Sequence, residues 1–230
     1  MGGWLLAAAL WLALGLLVVG VAGRLVTYLR TPQRLPLPLA PAPTGWAGVA
    51  ARLALELFAF RSLYRADRMG WLLGWVFHAS LALVVVRHRW LLAEPPAWIA
   101  PLVPLGPWLS AALAGSLLAL LVRRVIAARL RYISVPSDYL WLVYLLGLVG
   151  SGVVLGHLRP QALAEGIAFS RGLLGAGALP SAPDPALWVH GLLAAGLLGI
   201  FPFSKLLHAP GLLVTPTFAA RDRRGSSSGG

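Results

Sequence analysis

Five long apolar stretches constrain this chain more than any other feature. A helix needs about 20 residues to cross the hydrocarbon core of a membrane, and the stretches cover residues of about 1–23, 70–90, 108–123, 139–158 and 185–205. Lipid offers no water to unpaired backbone groups, so a spanning segment of this kind is helical. We therefore expect an all-α integral membrane protein, with five transmembrane helices in a single domain over residues 1–220.

The charge composition supports this class of protein. Charged residues make up 11% of the chain and the mean hydropathy is +0.80, whereas a soluble domain carries about 25% charged residues. The net charge of +12 comes from basic residues that flank the apolar stretches, and no basic run is interleaved with aromatic residues. We expect no binding to nucleic acid. The first stretch lacks a basic beginning and is too long for a signal peptide, which favours a retained helix.

The basic residues also predict the orientation. Four lie in the second and fourth connections (Arg87, Arg89, Arg159, Arg171), and fifteen lie in the first and third connections and the tail (Arg24, Arg30, Arg34, Arg52, Arg61, Arg65, Arg68, Arg123, Arg124, Arg129, Arg131, Lys205, Arg221, Arg223, Arg224). Cytoplasmic loops concentrate Lys and Arg. We therefore expect a periplasmic N-terminus and a cytoplasmic C-terminus. The expected location of this multi-pass protein is the bacterial inner (cytoplasmic) membrane.

The first connection contains two unusual segments. Residues 31–44 (TPQRLPLPLAPAPT) form a Pro-rich cytoplasmic loop with extended backbone, and an apolar stripe with spacings of three and four follows it (Trp46, Val49, Leu53, Leu57, Phe60, Tyr64). The stripe suits a helix on the cytoplasmic membrane face, a docking site for a partner subunit, or the beginning of the second span. Residues 221–230 are expected to form a disordered tail.

The cofactor chemistry is limited by the absence of cysteine. Without thiolates the chain has no disulfide, no iron–sulfur cluster of its own, no thiolate zinc site and no covalently attached c-type haem. Most of the seven carboxylates lie in loops. Histidine is the remaining ligand, and a histidine inside a membrane span is usually functional.

Four histidines can be paired by their depth in the membrane. His78 lies within the second span and His88 at its outer end, while His190 lies near the outer start of the fifth span and His208 at its cytoplasmic end. The two helices run in opposite directions, so depth pairs His88 with His190 and His78 with His208. Each pair could supply both axial ligands of one non-covalent haem b. We expect two bis-His haems between helices 2 and 5.

The vertical spacing of the histidines along the two helices fits this pairing poorly. On regular helices, His78 and His88 differ in height by roughly 15 Å, whereas His190 and His208 differ by about 27 Å. A kink at Pro202, or a position of His208 beyond the regular helix, would absorb the difference. His157 closes the fourth span and is not expected to be a ligand. Small residues near the histidines would admit a flat macrocycle or serve close helix packing (Gly74, Ala79, Ala82, Gly191, Ala194, Ala195, Gly196, Gly199).

Three segments carry a resemblance to a known family. They are WVFHASLALVVVRHRWLLAEP, which contains His78 and His88, RLRYISVPSDYLWLVYLLG, and PFSKLLHAPGLLVTPT, which contains His208. The two pairs of histidines resemble those of the nitrate reductase gamma-subunit family of membrane b-type cytochromes. Within it, the chain is most similar to the DsrM-type membrane subunit of the complex linked to dissimilatory sulfite reductase. The resemblance implies the same pairing of His88 with His190 and of His78 with His208.

The resemblance also implies a function. Related subunits exchange electrons with the quinone pool near the outer haem and with a cytoplasmic iron–sulfur subunit near the inner one. That partner would resemble heterodisulfide reductase, with a DsrC-like sulfur carrier beyond it and further membrane and haem subunits in the complex. The chain would then be the quinone-reactive membrane subunit of an oxidoreductase in sulfur metabolism. Arg87 and Arg89 flank His88 and are candidates for contact with haem propionates, a quinone carbonyl or lipid phosphate.

Two other functions remain open at this point. In the same class, the chain could be the gamma subunit of a nitrate reductase or of a similar complex. In a different class, it could be a haem-free membrane anchor or a small transporter, with histidines lining a polar path. The haem content of the purified protein separates these classes.

Overall fold

The structure, a computed structural model, describes residues 2–30, 46–89, 97–98, 100–175 and 177–208, and the regular elements in these ranges are helical. The α-helices are α1 (Gly2–Arg30), α2 (Trp46–Ala59), α3 (Arg61–Ala66), α4 (Arg68–His88), α5 (Gly106–Ile126), α6 (Ala128–Ile133), α7 (Pro136–Val153), α8 (Pro160–Leu173) and α9 (Pro185–Ile200). A π-helical turn (Val154–Leu158) extends α7, and a 3₁₀ turn (Phe201–Phe203) extends α9. The predicted loop at 31–44 and tail at 221–230 lie outside the described residues.

The prediction of five membrane-spanning helices is confirmed for the described ranges. Helices long and apolar enough to cross a membrane are Gly2–Arg30, Arg68–His88, Gly106–Ile126, Pro136–Leu158 and Pro185–Phe203. The first runs seven residues further than expected, as far as Arg30. At the start of α5, Pro107 occupies the first turn, where its missing N–H costs nothing.

Large apolar side chains on the spans point away from the protein. Trp4 and Val19 of α1 are 70% and 72% exposed, and Leu140 of α7 is 68% exposed. In water such surfaces would drive association. Along helices of this length and composition they suit lipid contact, which confirms the assignment to the membrane class.

The chain divides into two compact units, and the first comprises residues 1–13 and 69–197. Its buried apolar cluster joins the beginning of α1, the π turn, α8 and α9 (Leu6, Ala7, Leu155, Ala162, Phe169, Leu187). Gly191 allows α9 to approach α1, because a Cβ at this position would lie 2.9 Å from a methyl group of Leu6. Two of the spans, α5 and α7, also pack directly against each other.

A polar connection holds α5 and α7 together where the chain passes through the short helix α6. The Arg124 guanidinium donates to Ser134 Oγ at 2.8 Å and lies 3.1 Å from the Asp138 carboxylate. Asp138 also accepts a hydrogen bond from the Val135 backbone N–H at 3.1 Å, which caps the beginning of α7. The turn between two spans is therefore fixed by one arginine and one aspartate.

The second unit comprises residues 14–68 and 198–230, and its described part contains Pro202. Gly20 of α1 packs against this proline, since a Cβ there would lie 2.6 Å from the Pro202 ring. Arg24 Nε donates to the Pro202 carbonyl oxygen at 3.2 Å. Pro202 was expected to mark a kink near the end of the fifth span. It lies in the 3₁₀ turn that follows the end of α9 at Ile200.

The apolar stripe that begins at Trp46 does not form one continuous helix. Helix α2 ends at Ala59, and Phe60 adopts the left-handed conformation (φ 47°) before α3 begins. The Glu56 carboxylate supports this bend by accepting hydrogen bonds from Ser62 N at 3.0 Å and from Ser62 Oγ at 2.7 Å. The second span begins only at Arg68, so the stripe belongs to separate short helices. Within it, Val49 is buried and Trp46 is 72% exposed.

Candidate functional site

Two histidines far apart in sequence face each other in the first unit. His88 is the last residue of α4, and His190 lies in the second turn of α9. Their imidazole centroids are 6.4 Å apart, and the ring planes differ by only 18°. The end of α4 therefore lies beside the beginning of α9, which is the arrangement expected of two antiparallel spans.

Hydrogen bonds fix the tautomer of both rings. His88 Nδ1 lies 2.7 Å from the Val84 carbonyl oxygen, which can only accept, so Nδ1 carries the hydrogen. His190 Nδ1 lies 3.0 Å from Ser151 Oγ, and that hydroxyl donates its own hydrogen to the Leu148 carbonyl oxygen at 2.8 Å. We therefore assign the His190 Nδ1 atom as a donor as well. In both rings the lone pair is left on Nε2, the atom that a metal would take.

The distance between the two ring centres matches that of two imidazoles that ligate one iron. A ligating imidazole nitrogen lies about 2.0 Å from its metal and the ring centre about 1 Å further, so opposed imidazoles have centroids roughly 6 Å apart. The observed separation is 6.4 Å. Gly152 adds a second element of fit, because a Cβ there would lie 3.1 Å from His190 Cε1. The glycine leaves space for the imidazole of His190.

The other predicted pair is divided between the two units. In the first, His78 is half-buried on α4 and donates from Nδ1 to the Gly74 carbonyl oxygen at 2.7 Å, which assigns the Nε2 lone pair as in His88. In the second, His208 is exposed and follows the 3₁₀ turn, with its backbone N–H on the Leu206 carbonyl at 2.9 Å. His208 therefore lies beyond the regular helix, and a rise of 1.5 Å per residue does not extend to it.

The two arginines beside His88 differ in their surroundings. Arg87 is half-buried and its Nε donates to the Val103 carbonyl oxygen at 3.2 Å. Gly106 leaves room for its guanidinium, because a Cβ there would lie 2.5 Å from Arg87 Cζ. This hydrogen bond connects the end of α4 to the segment that precedes α5. Arg89 is exposed and follows the last residue of α4.

Some of the small residues proposed to admit a macrocycle serve helix packing instead. Gly191 faces Leu6, and a Cβ at Gly196 would lie 2.5 Å from the Tyr144 hydroxyl oxygen. That hydroxyl donates to the Leu193 carbonyl oxygen at 2.6 Å, so this contact tightens α7 against α9. His157, which was not expected to be a ligand, lies half-buried in the π turn.

Two residues of the site did not emerge from the sequence. Ser151 contacts the His190 ring, and Gly152 makes room for it. The signal that could have identified them is the Gly-Ser-Gly sequence at residues 150–152, which interrupts an otherwise apolar span. A serine between two glycines in a membrane helix suggests a polar contact with a neighbouring helix.

Comparison with known proteins identifies the family. The Hdr-like menaquinol oxidoreductase cytochrome b-like subunit of Archaeoglobus fulgidus is 30% identical, over 90% of this chain and 76% of that protein. The chain belongs to this family. The protein of the same name from Archaeoglobus profundus is 28% identical, over 77% of this chain and 61% of that protein. No protein-family model matches the chain. These relatives confirm the expected resemblance to DsrM-type membrane cytochromes b.

Proposed function

We propose that the chain is the dihaem membrane subunit of a respiratory complex, and that it exchanges electrons between menaquinol and a cytoplasmic iron–sulfur protein. A bis-His haem b supplies one-electron transfer. The residues of this chain would bind the two haems and hold them at different depths. The observation that carries the proposal is the opposition of His88 and His190, whose centroids lie 6.4 Å apart.

The outer haem would be held by His88 and His190. In support, the Nδ1 atoms of both rings donate to oxygen atoms of the protein, so each ring has its Nε2 lone pair available for iron. A histidine that ligates a metal typically has its second nitrogen engaged in this way, which fixes the ring and raises its basicity. The bond to Val84 orients one ring, and the bond to Ser151 orients the other.

The inner haem would be held by His78 and His208. His78 carries the same Nδ1 contact to the carbonyl four residues earlier as His88 does. It also contacts the Phe77 ring edge-on, with centroids 4.8 Å apart. His208 lies in the segment PFSKLLHAPG, which carries the resemblance to the DsrM-type subunit. Sequence order on two antiparallel spans supports this pairing.

The proposed quinone and partner are taken from the names of the relatives, and the proposed orientation is taken from the charge distribution. The relatives are named as subunits of an Hdr-like menaquinol oxidoreductase, and we extend menaquinol and a heterodisulfide-reductase-like partner to this chain. The orientation that we propose has the N-terminus outside and the C-terminus in the cytoplasm. Arg87 and Arg89 are proposed to bind polar groups of the haem or quinone beside His88. Sulfur metabolism is the proposed context.

The haem content of the purified protein tests the proposal. A pyridine haemochrome spectrum should give two haems b per chain for the wild type. The His88→Ala and His190→Ala variants should each lose one, and His157→Ala should retain both as the matched control. A wild-type protein that purifies folded but without haem would show instead a membrane anchor or a transporter.

A further inference from the structure

Ser151 makes the side-chain contact to the His190 ring. The serine lies on α7 and the histidine on α9, 39 residues later in the chain. Ser151 Oγ is 3.0 Å from His190 Nδ1 and 2.8 Å from the Leu148 carbonyl oxygen. A hydroxyl has a single hydrogen, and we assign it to the bond with the Leu148 carbonyl oxygen, which can only accept. Ser151 Oγ is therefore the acceptor of the His190 Nδ1 hydrogen.

This arrangement distinguishes His190 from the histidines of α4. His78 and His88 donate to the backbone carbonyl four residues earlier on their own helix. A backbone carbonyl remains a hydrogen-bond acceptor when the side chain of its residue is changed. His190 instead contacts a side chain of another helix, Ser151, beside the Leu148 backbone carbonyl, so the hydrogen bonding at its Nδ1 atom depends in part on the residue at position 151. The chain of bonds from Leu148 through Ser151 to His190 also polarises each of its members in the same direction.

We propose that Ser151 is a positioning residue that sets the midpoint potential of the haem bound by His88 and His190. The inference rests on the proposed function, because it requires a haem at this site. A hydrogen bond from Nδ1 makes the imidazole a more basic ligand, and a more basic ligand stabilises the ferric iron. Ser151 thus holds the potential of the outer haem lower than a bare apolar contact would. Gly152, the next residue, leaves the ring space to take this position.

Redox titration of the purified wild type and variants tests this role. Ser151→Ala removes the hydroxyl acceptor at His190 Nδ1 and should shift one of the two components to a more positive potential. The shift should be up to about tenfold in the ferric–ferrous equilibrium, which corresponds to about 59 mV for a one-electron couple. The other component should keep its potential. Ser151→Thr retains a hydroxyl that can bond the same carbonyl in a helix, and it should restore the wild-type value.

The matched control is Ser116→Ala. Ser116 Oγ makes the same kind of bond to the carbonyl three residues earlier on its helix, Leu113 at 2.9 Å. The Ser116→Ala substitution therefore removes a hydroxyl but leaves the contacts of His78, His88 and His190 at Nδ1 in place. Both potentials should remain unchanged. If Ser151→Ala fails to retain both haems, Ser151→Cys takes its place, because a thiol is a weaker acceptor of similar size. It should shift the same component in the same direction.

Failure of this inference differs from failure of the proposed function. If the purified wild type contains no haem, the proposed function itself is wrong. The wild type could instead contain two haems while the outer component has the same potential in Ser151→Ala as in the wild type. In that case only the proposed role of Ser151 is wrong. A shift of equal size in Ser116→Ala, or one confined to the component that His78→Ala alters, would overturn it as well.

Discussion

The imidazole rings of His88 and His190 lie nearly parallel, 6.4 Å apart between centroids, although 102 residues separate them in sequence. Each ring is oriented by a hydrogen bond at Nδ1, one to the Val84 carbonyl and the other to Ser151 Oγ. Under the proposed function, one iron would take a nitrogen from each ring. The two residues should therefore behave as one functional unit.

Substitutions within one predicted pair should affect the same haem. We expect His88→Ala and His190→Ala to alter one redox component, and His78→Ala and His208→Ala to alter the other, since loss of either ligand leaves the iron with one protein ligand. Potentiometric titration followed by optical spectroscopy measures this. Grouping of His88 with His208 instead would contradict both the pairing and the antiparallel arrangement of the two spans.

Gly152→Ala should displace the His190 ring. The added Cβ would lie 3.1 Å from His190 Cε1, tighter than ordinary van der Waals contact, so the ring should shift by a few tenths of an ångström. We expect an altered low-spin signal of the outer haem in electron paramagnetic resonance. Gly150→Ala is the matched control, because a Cβ at Gly150 would have open space within 4 Å among the described residues. Identical spectra for Gly152→Ala and the wild type would show that the site tolerates the extra methyl group.

Tyr144 and Gly196 should show strong coupling in a double-mutant cycle. Gly196→Ala places a Cβ 2.5 Å from the Tyr144 hydroxyl oxygen and should lower the thermal midpoint. Tyr144→Phe alone should cost about 0.5–1.5 kcal/mol through the lost bond to Leu193. Removing that oxygen also relieves the clash, so the double variant should be more stable than additivity predicts. Tyr132→Phe is the control, since Tyr132 is 93% exposed. Additive effects in thermal unfolding would argue against the contact.

Arg87 and Arg89 should differ in their effect on stability. Arg87→Ala removes the hydrogen bond to Val103 and should cost about 1 kcal/mol, which lowers the thermal midpoint by about 2–4 °C in a chain of this size. Arg89→Ala should leave the midpoint unchanged because Arg89 is exposed. Thermal unfolding in detergent compares the two. Equal midpoints would mean that the Val103 contact contributes no measurable stability.

The orientation in the membrane can be tested at the C-terminus. Fifteen of the nineteen basic residues lie in the first and third connections and the tail, so the tail should be cytoplasmic. A reporter fused after Arg221 that requires export for activity should therefore be silent, and one that is active in the cytoplasm should work. The opposite result would reverse the orientation and exchange the inner and outer sides of the site.

The sequence by itself determined the membrane class and the positions of the five spans. Hydrophobicity over about 20 residues is a local property, and each span must satisfy its own backbone hydrogen bonds. The four candidate histidines were also found in the sequence, because an ionisable side chain is conspicuous in a lipid-spanning segment. Their order on antiparallel helices was enough to predict which would lie at the same depth.

Only the tertiary structure decided what surrounds the histidines. The rotation of each helix about its axis depends on packing against its neighbours, and helices with apolar residues on every side carry little information about that rotation. This is why the contact of Ser151 with His190, the space above Gly152 and the bond from Arg87 to Val103 were not predicted. The end of α9 at Ile200, which leaves His208 beyond the regular helix, likewise depends on how the 3₁₀ turn at Pro202 packs against Gly20.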